Sequence, residues 1–190
     1  VERLLRQNEE IKKLNEEYDL IDIYSGTEMD ILPDGSLDYD NEVLAQLDYV
    51  IAAIHQSFNQ SEDEIMKRLE VACKNPYVRH IAHPTGRIIG RRPGYKPNIE
   101  KLMKLAEETN TILEINANPK RLDLNAETVR KYPNVKLTIN TDAHHTNHLE
   151  FMKYGVATAQ KGFVAKDRVV NALSREEFKS LIENNIKLRK

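Results

Sequence analysis

Short apolar runs alternate with amphipathic helical segments along almost the whole chain, and this alternation limits the folds that the sequence can adopt. Runs typical of strands lie at residues 20–24 continuing through 26–30, and at 49–54, 78–82, 111–115 and 137–140. Apolar residues at helical spacing fill most of the intervals between them. Strands that alternate with helices build βαβ units with a mainly parallel sheet. We therefore predict an α/β fold whose ligands bind at the carboxyl ends of the strands.

The predicted helices carry recognisable start and stop signals. Residues 1–16 have the spacing of an amphipathic helix, and Ser61 is placed as an N-cap with Glu64 as its capping-box partner. Shorter helices are predicted at 41–47 and 126–131. Two further helices are indicated by apolar residues at helical spacing, one by Ile99, Leu102, Met103 and Ala106, and the closing one by Phe178, Leu181, Ile182 and Ile186. Residues 155–158 predict one more short strand.

Composition narrows the class of protein further. The 190 residues are 40% hydrophobic, which is enough for one domain with a real core. A formal net charge of −2 argues against bulk electrostatic DNA binding, so any nucleic-acid contact must come from a local patch or a bound metal. A single cysteine, Cys73, excludes an internal disulfide and suits a reducing cytoplasm, where we expect the protein. No apolar run approaches the ~18 residues of a membrane span, so we expect no membrane partner.

Residues with ligand chemistry fall at the ends of predicted strands. Glu28 lies late in the first strand region, His55 and His83 each directly follow a strand, and Asp142 and His144 follow residues 137–140. The carboxyl ends of parallel strands converge on one face, and an extended backbone would point Asp142 and His144 the same way. Two carboxylates and three imidazoles suit Zn²⁺ or Mn²⁺, and a carboxylate such as Glu28 can bridge two cations. A lone histidine after a strand is usually structural, but five such residues together predict a metal site.

Basic residues cluster in the loops that should surround this face. Arg87 and Arg91 lie in the loop that follows His83, with Arg92 and Lys96, and Arg121 follows the strand at 111–115 together with Lys120. One interpretation is a phosphate-binding surface that guides a DNA end, to which we assign Arg87, Arg91 and Arg121. The alternative is ordinary solvated loop charge.

Several other residues have both a functional and a structural interpretation. Tyr95 could stack on a base but is more often a packed tyrosine, and Asn116 could hydrogen-bond a metal ligand. Glu114 could line a barrel interior or support a ligand. His80 is expected to be structural or to face the helices, and Cys73 to be a core residue.

His145 and His148 follow the Asp142–His144 segment closely. Either could add to a metal cluster, but we expect solvated loop histidines.

Several segments resemble a known family. The segments Gly26–Leu32 (GTEMDIL), Ala53–His55 (AIH), Ile81–Arg87 (IAHPTGR) and Asn140–His144 (NTDAH) resemble late motifs of the PHP (polymerase and histidinol phosphatase) domain. Leu113–Leu124 (LEINANPKRLDL) and Tyr154–Ala159 (YGVATA) are similar to the C-terminal PHP domain of bacterial family-X DNA polymerases. The resemblance covers essentially the whole chain, and its motifs are specific as an ordered set.

The resemblance implies a distorted (β/α)7 TIM-like barrel that holds up to three Zn²⁺ or Mn²⁺ ions. It implies that Glu28 bridges two metals, that His55 and His83 bind one of them, and that Asp142 and His144 complete the neighbouring positions. The activity it implies is 3′–5′ exonuclease-type hydrolysis of DNA 3′ ends by metal-activated water, with the N-terminal polymerase domains of a longer chain as partners.

The sequence also departs from the family pattern, because the early His-x-His motif and the motif after it are absent. We therefore expect residues 1–190 to be a single PHP-type domain that is truncated at its N-terminus and forms a partial barrel. Fewer metals should bind, and the isolated chain should be weak or inactive. Two exposed sheet edges would invite self-association.

Three other functions remain open at this stage. A small-molecule phosphatase of the histidinol-phosphate type would use the same metals. A non-catalytic module, stabilised by metal, would position a polymerase domain. A metal-dependent amidohydrolase is a weaker alternative, because its expected carboxylated lysine is not visible.

Overall fold

Five parallel strands form one open sheet in the part of the chain that the structure describes. The structure is a computed structural model that describes residues 1–188, with side chains described through residue 183. The strands are β1 (Gly26–Asp30), β2 (Tyr49–Ala53), β3 (Val78–Ile81), β4 (Ile112–Asn116) and β5 (Leu137–Asn140). They pair in chain order, each parallel to the next. The predicted α/β class with a mainly parallel sheet is confirmed, as an unclosed sheet consistent with a partial TIM-like PHP fold.

Seven α-helices connect or flank the strands in the described residues. They are α1 (Glu2–Glu17), α2 (Asn41–Leu44), α3 (Glu62–Lys74), α4 (Ile99–Glu108), α5 (Ala126–Lys131), α6 (Met152–Lys161) and α7 (Arg175–Leu188). Short 3₁₀ helices cover Thr146–Phe151, Lys166–Arg168 and Val170–Ala172. The predicted capping box at the start of α3 is confirmed, because Ser61 and Glu64 exchange hydrogen bonds. The predicted role of Ile186 in the closing helix lies outside the described side chains.

The two faces of the sheet differ in chemistry. Alternate residues such as Val50, Ala52, Leu113 and Ile115 point into the hydrophobic core, where helices α3 to α6 cover them. The opposite face lines a cavity of about 280 Å³ together with the loops that follow β3 and β5, the last 3₁₀ helix and α7. The lining residues are Glu28, Tyr49, Ile51, His80, Ala82, His83, Glu114, Asn116, Thr138, Asn140, Asp142, Asn171 and Phe178. This alternation is the period of two that a strand imposes on its side chains.

Two predicted strand segments are corrected by the structure. Residues 20–24 are not a strand, because the Asn15 side chain bonds both the N–H and the C=O of Ile23 and so takes the place of a ladder partner. Residues 155–158 belong to α6. A Cβ at Gly155 would lie 2.7 Å from the Ala117 Cβ, so this glycine lets the helix approach β4 closely.

The outer edge of β5 is partly covered. Leu137 forms a parallel bridge with Val169, and the Asn171 side chain accepts from the Ile139 N–H at 3.0 Å and donates to the Ile139 carbonyl at 2.6 Å. The prediction of two open edges is therefore too simple, because one edge already has partners.

No described helix has both the length and the apolar content that crossing a bilayer requires.

Candidate metal centre

Three of the predicted ligands meet at the carboxyl ends of β1, β2 and β3. The Glu28 Oε1 lies 3.2 Å from His55 Nε2 and 3.0 Å from His83 Nε2. One ligand atom from each of the three residues lies within 4.8 Å of the others. Glu28 reaches the cluster from within β1, while His55 and His83 each lie two residues past the ends of β2 and β3. Parallel pairing, with one register shift between β2 and β3, places these ends side by side.

His55 is held from its far side by a residue that sequence reasoning did not assign. Its Nδ1 contacts the Asp30 carboxylate while its Nε2 faces Glu28. Asp30 lies two residues after Glu28 in the same strand, so period two places both carboxylates on one face. This two-residue spacing from Glu28 was the signal in the sequence that could have indicated a role for Asp30. A carboxylate on Nδ1 fixes the ring orientation and leaves Nε2 for a ligand.

Asp142 and His144 are arranged differently from the prediction. Asp142 lines the same cavity as Glu28, but its Oδ2 pairs with Arg121 Nε at 3.0 Å. Asp142 has a φ of +52°, so the backbone is not extended there as the two-residue spacing suggested. His144 is largely exposed, and its Nδ1 lies 2.8 Å from the Asp142 carbonyl and 3.6 Å from Asp142 Oδ1.

The basic loop residues have distinct environments. Arg87 donates from its guanidinium to the carbonyls of Arg121 and Leu122, so it ties two loops together. Arg121 pairs with Asp142, and Arg91 is exposed in its loop. The structure therefore gives Arg87 and Arg121 internal partners and leaves Arg91 facing solvent.

Tyr95, Cys73, His80 and His145 follow their structural interpretations. Tyr95 is buried and stacks on Phe58 with ring centroids 5.5 Å apart, and Cys73 is buried in the core. His80 is fully buried and pairs with Thr138, but it faces the cavity side of the sheet and not the helices. His145 is exposed in its loop.

The electrostatics of the cluster favour positive charge at its centre. Hydrogen bonds from His55 and His83 hold the pKa of Glu28 well below its ordinary value, so the carboxylate stays ionised. The same Glu28 contact, and then Asp30, raise the pKa of His55 against the opposing effect of burial. The groups thus stabilise a positive charge between them, which is what a bound cation would supply.

The donor set fits a divalent cation. One carboxylate oxygen and two imidazole nitrogens are the mixed ligands that Zn²⁺ and Mn²⁺ accept, and three protein ligands leave a position open. The three atoms are already close together, so little rearrangement is needed. His83 Nδ1 is buried with no hydrogen-bond partner among the described residues. The residues present therefore fit a metal, although the geometry does not select which one.

The chain is similar to proteins of known name. It is 53% identical over 186 residues to the DNA polymerase/3′-5′ exonuclease PolX of Bacillus subtilis strain 168. The aligned segment covers 97% of this chain and 33% of that protein. This similarity is consistent with the resemblance of the motifs to a PHP domain. It spans about a third of the length of this PolX protein.

Other relatives of the chain are named as probable phosphatases. One from Thermoanaerobacter sp. strain X514 is 28% identical over 173 residues, which is 85% of this chain and 68% of that protein. Another, from Caldanaerobacter subterraneus subsp. tengcongensis, is 36% identical over 110 residues, or 56% of this chain and 41% of that protein. No protein-family model matches the sequence. The printed names of these relatives are thus those of a polymerase with 3′-5′ exonuclease and of probable phosphatases.

Proposed function

We propose that this chain is a metal-dependent phosphoesterase domain that hydrolyses DNA from its 3′ ends, as part of a PolX-type polymerase. The observation that carries the proposal is the Glu28–His55–His83 cluster, within a chain 53% identical to a protein named as a polymerase and 3′-5′ exonuclease. We propose residues 1–190 as one PHP-type domain whose partners are DNA 3′ ends and the polymerase domains. A cytoplasmic location and self-association belong to the same proposal.

In this proposal Glu28, His55 and His83 hold one Zn²⁺ or Mn²⁺, and Asp142 with His144 supplies ligands for a neighbouring cation. A bound divalent cation supplies an activated water and neutralises charge on a phosphate oxygen. Because the close cluster has only three residues, we expect the 190-residue chain by itself to be weakly active.

The surrounding residues support this chemistry without a side-chain nucleophile. Asp30 holds the His55 ring with Nε2 directed at the centre. Arg91 and Arg121 lie in the loops beyond β3 and β4, where their charge would attract a phosphodiester. For Arg121 this requires exchange of its Asp142 partner. Arg87 contributes by holding the loop.

The decisive experiment uses a full-length protein that carries this domain. A 5′-labelled oligonucleotide is incubated with Mn²⁺ or Zn²⁺, and shortening from the 3′ end is followed over time. Glu28→Gln should abolish shortening, because it removes the charge that two imidazoles share. Glu127→Gln, an exposed carboxamide exchange on α5, is the matched control and should keep the wild-type rate. An unchanged rate in Glu28→Gln would refute the proposal.

A small-molecule phosphatase is the second candidate, favoured by the phosphatase relatives that the chain covers to 68% of their length. Histidinol phosphate and a 3′-recessed oligonucleotide, compared under the same metal, separate the two activities. A non-catalytic module stabilised by metal is the third candidate. It predicts that chelation lowers the melting temperature while neither substrate is turned over.

A further inference from the structure

Glu114 is a buried carboxylate on the cavity face of β4 that the metal cluster does not include. Its side chain belongs to a residue only 4% exposed. Oε1 accepts from Asn140 Nδ2 at 2.9 Å, and Oε2 accepts from the His83 backbone N–H at 2.6 Å and from Asn116 Nδ2 at 3.1 Å. Every one of these partners is an N–H donor, so the site is built to surround an acceptor on all sides.

The bond to His83 acts on a backbone that needs support. His83 has a φ of +30°, in the left-handed region that non-glycine residues seldom occupy. Its N–H donates to Glu114, while its carbonyl accepts from the Gly86 N–H at 2.7 Å and the Tyr95 hydroxyl at 3.4 Å. A strained conformation of this kind persists only where its surroundings determine it. The direction of the His83 imidazole therefore depends on these three contacts.

The Glu114 carboxylate is also connected, through Asn116, to Asp142, a second predicted ligand. Asn116 Nδ2 donates to Glu114 Oε2 and lies 3.2 Å from Asp142 Oδ2. Asp142 also has a left-handed φ, of +52°. One amide thus joins the carboxylate that supports His83 to the second carboxylate that lines the cavity.

We propose that Glu114 is a positioning residue that fixes His83 directly and Asp142 through Asn116, so that ligands from separate strands face one metal centre. The inference rests on the proposed function and deepens it. Glu114 does not act as a ligand, because both of its oxygens already accept hydrogen bonds from the protein. Its contribution is to preorganise the ligands, and the metal affinity therefore depends on it.

The experiment measures Zn²⁺ affinity of the 190-residue chain by competition with a chromophoric chelator, with melting temperatures recorded for each variant without metal. Glu114→Gln puts an NH₂ group where the surrounding N–H groups need an acceptor, so the support of His83 is lost. The Zn²⁺ affinity should then fall about 10- to 100-fold, the usual effect of losing a residue that supports a ligand. Co²⁺ absorption gives a second readout, since a displaced His83 changes the ligand field.

Two further variants separate positioning from general stability. Glu114→Asp keeps the carboxyl group but is one methylene shorter, so it should fold, lose contact with the His83 N–H and weaken Zn²⁺ binding. Thr111→Val removes a buried hydroxyl from the opposite end of β4, where it donates to the Cys73 carbonyl. It should lower the melting temperature and leave Zn²⁺ affinity unchanged.

Unchanged affinity in the folded Glu114 variants would overturn the inference, and so would an equal loss in Thr111→Val. If Glu114→Gln does not fold, Glu114→Asp decides. A wild-type chain that binds no Zn²⁺ would instead overturn the metal centre of the proposed function.

Discussion

Each of the two clustered histidines has its own supporting carboxylate. Asp30 contacts the His55 ring at Nδ1, and Glu114 accepts from the His83 backbone. The supports differ in kind, because one fixes the orientation of a ring and the other fixes a backbone conformation. Both leave the Nε2 atoms directed at Glu28. At the scale of single residues, the candidate centre is therefore preorganised by groups that do not belong to it.

Asp30→Asn should weaken Zn²⁺ binding about 10- to 100-fold, because the amide no longer holds the His55 ring as a carboxylate does. The chelator competition described for Glu114 measures this directly. Asp38→Asn, an exposed carboxylate in the loop after β1, is the control and should bind Zn²⁺ as the wild type does. Equal affinities in all three proteins would show that Asp30 has no part in the centre.

The loops after β3 and β4 form one connected unit. Asp123 Oδ2 accepts from the N–H groups of Thr85 and Gly86 at 3.0 and 3.1 Å, and Arg87 donates back to the carbonyls of Arg121 and Leu122. Because His83 begins the first loop and Arg121 lies in the second, this unit sets the surroundings of the cavity.

Arg87→Ala should lower the free energy of unfolding by about 1.5–3 kcal/mol, because it removes hydrogen bonds from a charged donor that joins the two loops. Arg91→Ala, in the same loop but exposed, should change it by less than about 0.5 kcal/mol. Urea denaturation of the two variants provides the comparison. If Arg87→Ala lowers the free energy of unfolding as little as Arg91→Ala does, the Arg87 side chain does not join the loops. That result would favour the phosphate-binding interpretation of Arg87.

At the scale of the whole molecule, the sheet buries polar groups on the face that carries the site. His80 is fully buried there, and burial lowers its pKa to about 3 from an ordinary 6.5. Its Nε2 lies 3.1 Å from the Thr138 hydroxyl. The folded protein therefore keeps this imidazole neutral under conditions in which the unfolded chain protonates it.

Between about pH 6.5 and pH 3 the unfolded state binds one more proton at His80 than the folded state, so stability falls as the pH falls. This group contributes a slope of about 1.4 kcal/mol per pH unit within the window. His80→Gln should remove that part of the slope. Burial raises the pKa of Glu114 to about 7 and so opposes the trend, but Glu114 is present in both proteins.

The measurement is the free energy of unfolding in urea at intervals from pH 4 to pH 7, for wild type and His80→Gln. The difference between the two slopes isolates His80. Parallel curves would mean that His80 takes up its proton in the folded state as readily as in the unfolded one.

Local periodicity predicted much of the fold correctly. Residues 49–54, 78–82 and 137–140 are strands within one residue at either end, and the capping box of α3 forms as its two residues indicate. The strands predicted at residues 20–24 and 155–158 do not form, because a strand also needs the edge of another strand to pair with. The Asn15 side chain supplies Ile23 with partners instead, and the edge of β5 is taken by Val169 and Asn171.

The sequence by itself determined that the chain is an α/β protein and that Glu28, His55 and His83 stand at neighbouring strand ends, because strand period and chain order are local properties. Only the tertiary structure decided which groups touch. Asp30 meets His55 across 25 residues, Glu114 meets the His83 N–H across 31, and Arg121 takes Asp142. Such pairs depend on strand register and on left-handed backbones at His83 and Asp142, and no local pattern encodes either.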